Sequence, residues 1–442
     1  MSLSFVKYLS LLPSPDNSNL QAAINLYQSS DFLETKLEEL CFPELGEKEL
    51  FGKKILIKPN LVLDCRTPED EYSLYTDINL ILAMCEYVLK RNPGSLTIAE
   101  APIQKCNWEK VTAPLRKGIS LLELRYKKKI ELIDLRKMVW NGYKPVPNPN
   151  KDAEYLIFDL GDKSCLEEVC DGKKRFRVTN YDPERLAHSH DKGKHQYCIA
   201  KKYFDSDLVI SMPKLKTHQK AGLTCALKIL VGINGDKDIL PHHRKGGVSD
   251  GGDCYPGASV FGWLAETFLD IGNHFPGKRI TPICYWMADH FRVLMPHQPE
   301  ISTEGNWYGN DTCWRMVMDL NTIAAFGRSD GTIADTPQRS VWSVADAIVG
   351  GQGKGPLNPD PLPMSTLIFS NNSYLMDWTV GHFWNLSNEK IPLLREAGKK
   401  VDREKSVIFW NGKKITETQL REYGFHPQLP PGWINYAQSE RI

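Results

Sequence analysis

The sequence predicts an α/β protein with a mostly parallel β-sheet, flanking helices, a large middle insertion and a short C-terminal hairpin. Three observations support this class. A strand, a helix and a second strand follow one another between residues 53 and 100, which is the order of a βαβ unit. A further apolar strand at 207–213 ends at a proline. Near the end of the chain, Asn411 and Gly412 separate two alternating runs, as in a tight hairpin turn.

The first βαβ unit follows from three consecutive segments. The run KKILIKPNLV at 53–62 is rich in β-branched residues and closes with Pro59 and Asn60, as expected for a buried parallel strand and its exit loop. The segment that begins at Asp77, DINLILAMCEYVLKR, has apolar residues at helical spacing and stops at an Asn-Pro-Gly sequence. The next segment, LTIAEAP, predicts a strand that ends at Glu100.

The middle of the chain, about 110–205, is rich in charge and alternates strand-like segments with polar loops. We therefore expect it to be an insertion in the main sheet. The sequence predicts one α/β domain over 1–400, with this insertion, and a hairpin extension over 401–442.

Two further elements follow the strand at 207–213. The segment LTCALKILVGI predicts a helix with three leucines on one face, at Leu223, Leu227 and Leu230. The segment VWSVADAIVGGQGKGP predicts a strand that ends at Asp346 and is followed by a glycine-rich loop.

Composition excludes several classes of protein. Lys and Arg total 55 against 54 Asp and Glu, so the chain lacks the basic excess typical of proteins that wrap nucleic acid. The N-terminus does not have the pattern of a signal peptide, and no stretch approaches the roughly 18 apolar residues of a membrane helix. We expect a cytoplasmic protein with neither a nucleic-acid nor a membrane partner.

The eleven cysteines are scattered and contain no CxxC pair. This spacing fits neither a disulfide framework nor a zinc ribbon, and it provides no clustered thiolates for iron. We expect no iron–sulfur cluster, and we expect most of these thiols to be buried.

Polar residues follow four of the predicted strands at the point where each strand ends. They are Lys58 and Asn60, Glu100, the group from Lys214 to Lys220, and Asp346 with its glycines. Ligands of open α/β sheets bind at the carboxyl ends of the strands. We therefore expect these residues to form one site.

The basic group of this site precedes the predicted helix start near Gly222. It consists of Lys214, Lys216, His218 and Lys220. Cations are unfavourable at a helix N-terminus, whereas phosphate and carboxylate bind there well. We expect a bound anion as the negative partner, with Lys228 reaching the same side. The alternative is a solvated basic loop.

Two other motifs bear on the site. His242 and His243 follow Pro241, and a metal site there would need one of His218, His290, Asp289 or Asp346 to complete a nitrogen and oxygen set. A divalent metal therefore remains open, and the alternative is that these histidines cap loops or bind the anion. The GGQGKGP run around Gly353 does not have the spacing of a phosphate-binding loop of nucleotide triphosphatases, and a flexible loop that closes over a ligand is left as one alternative.

Three segments together resemble motifs of the proteins grouped as "domain of unknown function 362" (DUF362). They are KILIKPNLV, LVISMPKLKTHQKAGLTCALKILVGI and VADAIVGGQGKGP, and the resemblance covers about 50–390. Some members carry a ferredoxin-type cysteine cluster, which this sequence lacks. The segment GNWYGNDTCWRMVMDLN resembles members associated with surface-polysaccharide genes, which implies a sugar or sugar-phosphate ligand.

These observations favour an enzyme that binds an anionic small metabolite, either a phosphate, a carboxylate or a sugar phosphate. We expect His218 and Asp346 to be catalytic, because a histidine pKa near 6.5 suits proton transfer. The ligand-binding residues are predicted to be Lys58, Asn60, Lys214, Lys216, Lys220, Lys228 and Gly353. The alternative is a non-catalytic protein that binds an anion or a polysaccharide.

Overall fold

The computed structural model of the protein describes residues 3–12, 19–65, 67, 70–141, 144–149, 154–295 and 303–438. Within these ranges the strands are β1 (Ser4–Ser10), β2 (Lys54–Pro59), β3 (Ser95–Glu100), β4 (Ile130–Asp134), β5 (Met138–Asn141), β6 (Lys144–Pro147), β7 (Tyr155–Asp159), β8 (Phe176–Arg177), β9 (His190–Asp191), β10 (Lys194–Ala200), β11 (Leu208–Met212), β12 (Lys214–His218), β13 (Gly222–Thr224), β14 (His243–Arg244), β15 (Ser340–Gln352), β16 (Asp360–Ser370), β17 (Ser406–Trp410) and β18 (Lys413–Ile415). The α-helices are α1 (Leu20–Leu26), α2 (Ser30–Cys41), α3 (Glu47–Leu50), α4 (Glu71–Leu74), α5 (Ile78–Leu89), α6 (Trp108–Tyr126), α7 (Pro183–Ser189), α8 (Val260–His274), α9 (Thr281–Val293), α10 (Cys313–Phe326), α11 (Ser373–Phe383), α12 (Pro392–Lys400) and α13 (Glu417–Glu422).

One large mixed sheet organises the protein. Its strand order is β18-β17-β1-β16-β15-β11-β2-β3-β4, and β12 and β13 extend it beside β15, which makes eleven strands. The run from β15 through β11, β2 and β3 to β4 is parallel throughout. The predicted α/β class with a mostly parallel sheet is therefore confirmed.

Alternate residues of the central strands face two different hydrophobic cores. Ile55 and Ile57 of β2 pack into the core that contains α2, α5 and α6, whereas Leu56 packs into the core that contains β10 and α10. This alternation follows from the two-residue period of a strand. Because both faces of the sheet are covered, most residues of the central strands are apolar. No helix in the described ranges is long and apolar enough to cross a membrane.

The predicted βαβ unit is confirmed by β2, α5 and β3. The side chain of Asp77 caps α5 by accepting hydrogen bonds from the N–H groups of Asn79 and Leu80. After the helix, Gly94 lies so close to Gly52 that an added Cβ would be 2.3 Å from the Gly52 carbonyl oxygen. This close contact explains the glycine in the predicted stop signal.

The predicted insertion at 110–205 is only partly separate from the main sheet. Helix α6 connects β3 to β4, and β4 pairs with β3 in the parallel sheet. The smaller sheets, β5-β6, β7-β10-β9 and β14-β8, lie outside it. The elaboration therefore begins after β4.

The prediction of an α-helix that contains Leu223, Leu227 and Leu230 is wrong. Strands β12 and β13 form an antiparallel hairpin, and a short 3-10 helix follows at Lys228–Ile233. The backbone N–H groups just before this 3-10 helix donate to the Asp377 carboxylate, from Ala226 at 2.8 Å and from Leu227 at 3.2 Å. Apolar spacing in a short segment does not distinguish these conformations.

The prediction that a strand ends at Asp346 is also wrong. Strand β15 continues to Gln352, with a register shift against β16 between Ala347 and Val349. A bulge of this kind bends a strand without ending it. The first glycines after Asp346 are therefore strand residues.

The predicted C-terminal hairpin is confirmed. Asn411 and Gly412 both have positive φ, at 47° and 77°, between β17 and β18. Strand β17 pairs in parallel with β1, so the hairpin forms one edge of the main sheet. The ring of Trp410 stacks on Tyr423 with centroids 4.5 Å apart.

The place of this hairpin in the main sheet can be tested with Trp410→Ala. Trp410 is 7% exposed, and loss of a buried aromatic side chain costs roughly 3–5 kcal/mol. We expect the urea midpoint of global unfolding to fall accordingly. The exposed substitution Lys413→Ala in β18 should change the free energy of unfolding by less than about 0.5 kcal/mol. A global midpoint unaffected by Trp410→Ala would show that the hairpin folds separately.

Candidate functional site

A cavity of about 480 Å³ lies at the carboxyl ends of β2, β3 and β12. Asn60 follows β2, Glu100 ends β3, and Lys216 and His218 belong to β12; all four side chains line the cavity. Loops that follow other elements supply the remaining walls, at 178–181, 237–242, 304–306 and 354–358. The volume falls within the roughly 300–1,000 Å³ of small-molecule sites.

The cavity lining is strongly basic. Its lysines and histidines are Lys105, Lys216, Lys220, Lys228, Lys237, Lys354, His218 and His242. Its carboxylates, Glu100 and Glu304, already contact other cations: Glu100 lies 2.8 Å from Lys58 and Glu304 lies 2.9 Å from Arg292. The lining therefore has an excess of positive charge that these carboxylates do not balance.

Two of the predicted site lysines have internal carboxylate partners and do not line the cavity. The ammonium of Lys214 lies 2.6 Å from Asp346 Oδ2, and both side chains are fully buried. The ammonium of Lys58 contacts Glu100, and a Cβ at Gly232 would lie 2.5 Å from it. Lys58, Lys214 and Asp346 thus lie beside the site and not on its surface.

The buried lysines of the lining contact only uncharged groups. Lys216 Nζ donates to the Leu74 carbonyl and lies 3.4 Å from Asn60 Oδ1. Lys220 Nζ contacts Thr179 Oγ1 at 3.0 Å, the Glu304 carbonyl and His243 Nδ1. In the described part of the chain, the following four lysines have no carboxylate within 4.0 Å: Lys216, Lys220, Lys228 and Lys237.

Burial without a counter-ion changes the protonation of these lysines. Desolvation, together with the charges of Lys214 and Lys228, lowers the pKa of Lys216 to about 7. Desolvation likewise lowers the pKa of Lys237 to about 7. Both amines therefore exchange protons near neutral pH, and an anion beside them would favour their charged form.

His218 is held as a neutral hydrogen-bond donor. Its Nδ1 accepts a hydrogen bond from the backbone N–H of Lys220 at 3.0 Å, so the ring hydrogen is on Nε2. Burial and the charge of Lys228 lower the pKa of His218 well below its ordinary value. This geometry differs from the expected acid/base role, because the accepting nitrogen is already engaged.

His242 and His243 point to different places. His242 lines the cavity, and its Nδ1–H donates to the Leu240 carbonyl at 2.7 Å, which leaves a lone pair on Nε2. His243 contacts Lys220 from outside the lining. Of the other predicted metal partners, His218 lines the same cavity as His242, whereas Asp289 pairs with Arg292 and His290 stacks on Trp286.

Gly353 belongs to the glycine-rich loop but does not line the cavity. Its carbonyl accepts a hydrogen bond from Thr217 Oγ1 at 3.1 Å, and its φ of 69° is in the left-handed region. The residues after it line the cavity, including Lys354. Lys354 lies within a motif that the sequence singled out, whereas nothing in the sequence marked Lys105, Lys237 or Glu304.

Comparisons with known proteins identify a family. A family model described as "Domain of unknown function (DUF362)" matches residues 159–381, half of the chain. Among solved structures, a crystal structure of a protein from Thermotoga maritima matches at 10% identity with a TM-score of 0.35. That match covers 84% of this chain and only 59% of the other, so this chain spans less than two thirds of its length. No curated protein matches the sequence.

The buried Lys214–Asp346 pair can be tested by removing one charge and then both. Asp346→Asn keeps the shape of the side chain but leaves the Lys214 ammonium buried and uncompensated, so we expect a loss of roughly 3–5 kcal/mol in the free energy of unfolding. The double variant Lys214→Met with Asp346→Asn should recover most of that loss. Asp402→Asn, which breaks a solvent-exposed pair with Lys405, should change the free energy of unfolding very little. Equal losses in the single and double variants would contradict the assigned charge pairing.

Proposed function

The chain belongs to the DUF362 family, and we propose that it is a cytoplasmic enzyme that binds an anionic small metabolite in this cavity and transfers a proton to or from it. One observation carries the proposal: four buried lysines surround a cavity without a carboxylate partner. An unpaired buried charge is costly, and a bound anion removes that cost. A surface loop of solvated lysines would not be buried.

The lining favours a ligand with an anionic group and an organic body. The anionic group fits beside Lys216, Lys220 and Lys228, with the Nε2–H of His218 as a neutral donor. Apolar and aromatic residues cover other parts of the lining, among them Trp140 and Tyr181. A carboxylate or a sugar phosphate has this combination, since an aromatic ring can pack against the carbon skeleton.

Proton transfer is assigned to Lys237, because it stands apart from the anion-binding group. Glu100 acts on both Lys237 and Lys216, but the neighbouring cations differ: they are Lys58 and Arg136 for Lys237, and Lys214 and Lys228 for Lys216. A pKa of about 7 lets Lys237 accept or donate a proton at neutral pH. Its amine donates to the Val231 carbonyl at 3.0 Å, which orients it at the cavity wall.

Anion binding is tested with sulfate, which remains a dianion from pH 6 to 9. We expect sulfate to raise the melting temperature, because a ligand at a hundredfold excess over its Kd stabilises the folded state by about 2.7 kcal/mol. The anion raises the pKa of Lys216 above its ligand-free value of about 7. Binding above pH 7 therefore takes up a proton, and Kd should increase about tenfold per pH unit for each proton taken up.

The matched variants for this experiment are Lys216→Gln and the exposed Lys399→Gln. Lys216→Gln should weaken sulfate binding and reduce the pH slope, without destabilising the ligand-free protein, since it removes an uncompensated buried cation. Lys399→Gln should behave as the wild type. A wild-type protein whose melting temperature responds to no sulfate concentration at pH 6 would refute the anion site.

Catalysis is tested by deuterium exchange in D₂O with a panel of small carboxylates and sugar phosphates, followed by NMR. We expect the wild type to exchange a carbon-bound hydrogen of at least one compound that it binds. Lys237→Gln should lower that rate by about 100-fold or more while retaining sulfate affinity, because loss of a general base typically costs that much. Lys278→Gln is the control. Compounds that bind without any exchange would contradict the enzyme and favour a non-catalytic anion- or polysaccharide-binding protein.

A further inference from the structure

Three buried side chains outside the cavity lining converge on one point. A ring nitrogen of His243, Sγ of Cys254 and a carboxylate oxygen of Glu266 all lie within 4.8 Å of one another. The exposed fractions of His243, Cys254 and Glu266 are 5%, 0% and 4%, respectively. Among the described residues, no other group of His, Cys, Asp and Glu of this kind was found.

The local fold holds these three residues in place. His243 lies on β14, which pairs with β8, and Glu266 lies on α8. The loop between them is closed by backbone hydrogen bonds from Cys254 to Gly246 and from Asp253 to Arg244. The N–H of Gly246 donates to Glu266 Oε2 at 2.8 Å, which fixes the orientation of the carboxylate.

One oxygen of this carboxylate has no hydrogen bond of normal geometry. Glu266 Oε1 is buried and accepts none from the described residues, although the Cys254 thiol interacts with the carboxylate. An unsatisfied buried oxygen costs about 1–3 kcal/mol, and nearly all such groups in folded proteins have a partner. A ligand that accepts electron pairs would complete the contacts of this oxygen.

We propose that His243, Cys254 and Glu266 bind a zinc ion. A nitrogen, a sulfur and an oxygen are the ligand types of Zn²⁺, and three protein ligands with one open position are typical of zinc sites that bind water or substrate. Zinc bonds of about 2.0–2.3 Å place tetrahedral ligand atoms roughly 3.3–3.8 Å apart. The three side chains therefore need only small shifts to reach one ion.

Charge balance also favours a divalent ion. A Zn²⁺ ion bound to a Cys254 thiolate and a Glu266 carboxylate has its two positive charges balanced by two negative ligands. A monovalent ion would not balance both ligands.

The zinc site would lie next to the basic cavity. His243 Nδ1 is 3.3 Å from Lys220 Nζ, so Nε2 is the ring nitrogen available to the metal. The zinc proposal does not depend on the proposed function, because it rests on three residues outside the cavity lining.

The proposal is tested with Co²⁺ as a spectroscopic substitute for zinc in the full-length protein after removal of bound metal with a chelator. We expect one Co²⁺ per chain, visible absorption bands of tetrahedral cobalt and a near-ultraviolet thiolate-to-cobalt band, all displaced by Zn²⁺. Cys254→Ser should remove the thiolate band. Glu266→Gln should keep that band and weaken affinity by about 100-fold or more, because loss of even an outer-shell partner costs roughly 10–100-fold.

Cys313→Ser is the matched control. Cys313 is buried like Cys254 and also lies near Lys220, but it is not one of the three proposed zinc ligands. It should retain the thiolate band and the affinity of the wild type. Thermal melting of each metal-free variant checks folding, and Glu266→Gln still tests the site if Cys254→Ser does not fold. No thiolate band at saturating Co²⁺ in the wild type, or an unchanged affinity in Glu266→Gln, would overturn the proposal.

Discussion

The ion pair between Lys214 and Asp346 connects the main parts of the fold. Asp346 accepts hydrogen bonds from Tyr27 at 2.6 Å and from the backbone N–H of Asp77 at 3.0 Å, besides the Lys214 ammonium. These contacts join α1, the start of α5, β12 and β15 through one buried carboxylate. Removal of one charge leaves the other without compensation, so the two charges stabilise the fold only as a pair. The position of β12, and with it the wall of the cavity, depends on this pair.

The same electrostatic constraint separates the buried lysines into two groups. Glu100 balances Lys58 and Asp346 balances Lys214, and of these four side chains only that of Glu100 lines the cavity. In the described ranges no carboxylate forms an ion pair with Lys216, Lys220, Lys228 or Lys237, although these lysines are buried almost as deeply. Internal pairing thus supports the sheet, whereas the unpaired charges give the cavity its positive potential. The low dielectric of the surroundings strengthens that potential.

The sequence predicted the parallel sheet and part of the site. Apolar runs closed by polar residues correctly located β2, β3 and β11, because burial on both faces leaves a clear pattern. The residues after Thr224 lead into a 3-10 helix and not the predicted α-helix, because apolar spacing in a short segment does not distinguish the two. The distinction between Lys214 and Lys216 was likewise beyond the sequence, since it depends on which carboxylate lies opposite each strand position. Lys237 was missed because a single lysine in a polar loop carries no local signal.

Strand β12 is hydrogen-bonded on both sides, to β13 and to β15. Lys216 and His218 lie two residues apart on it, a spacing of about 7 Å between their Cα atoms. The backbone that carries these groups loses its conformational entropy when the protein folds, so little remains to be lost when a ligand arrives. A flexible loop would adapt to many anions, at an entropic cost for each. The rigid strand instead discriminates by shape, since a ligand must match a spacing that the sheet has already set.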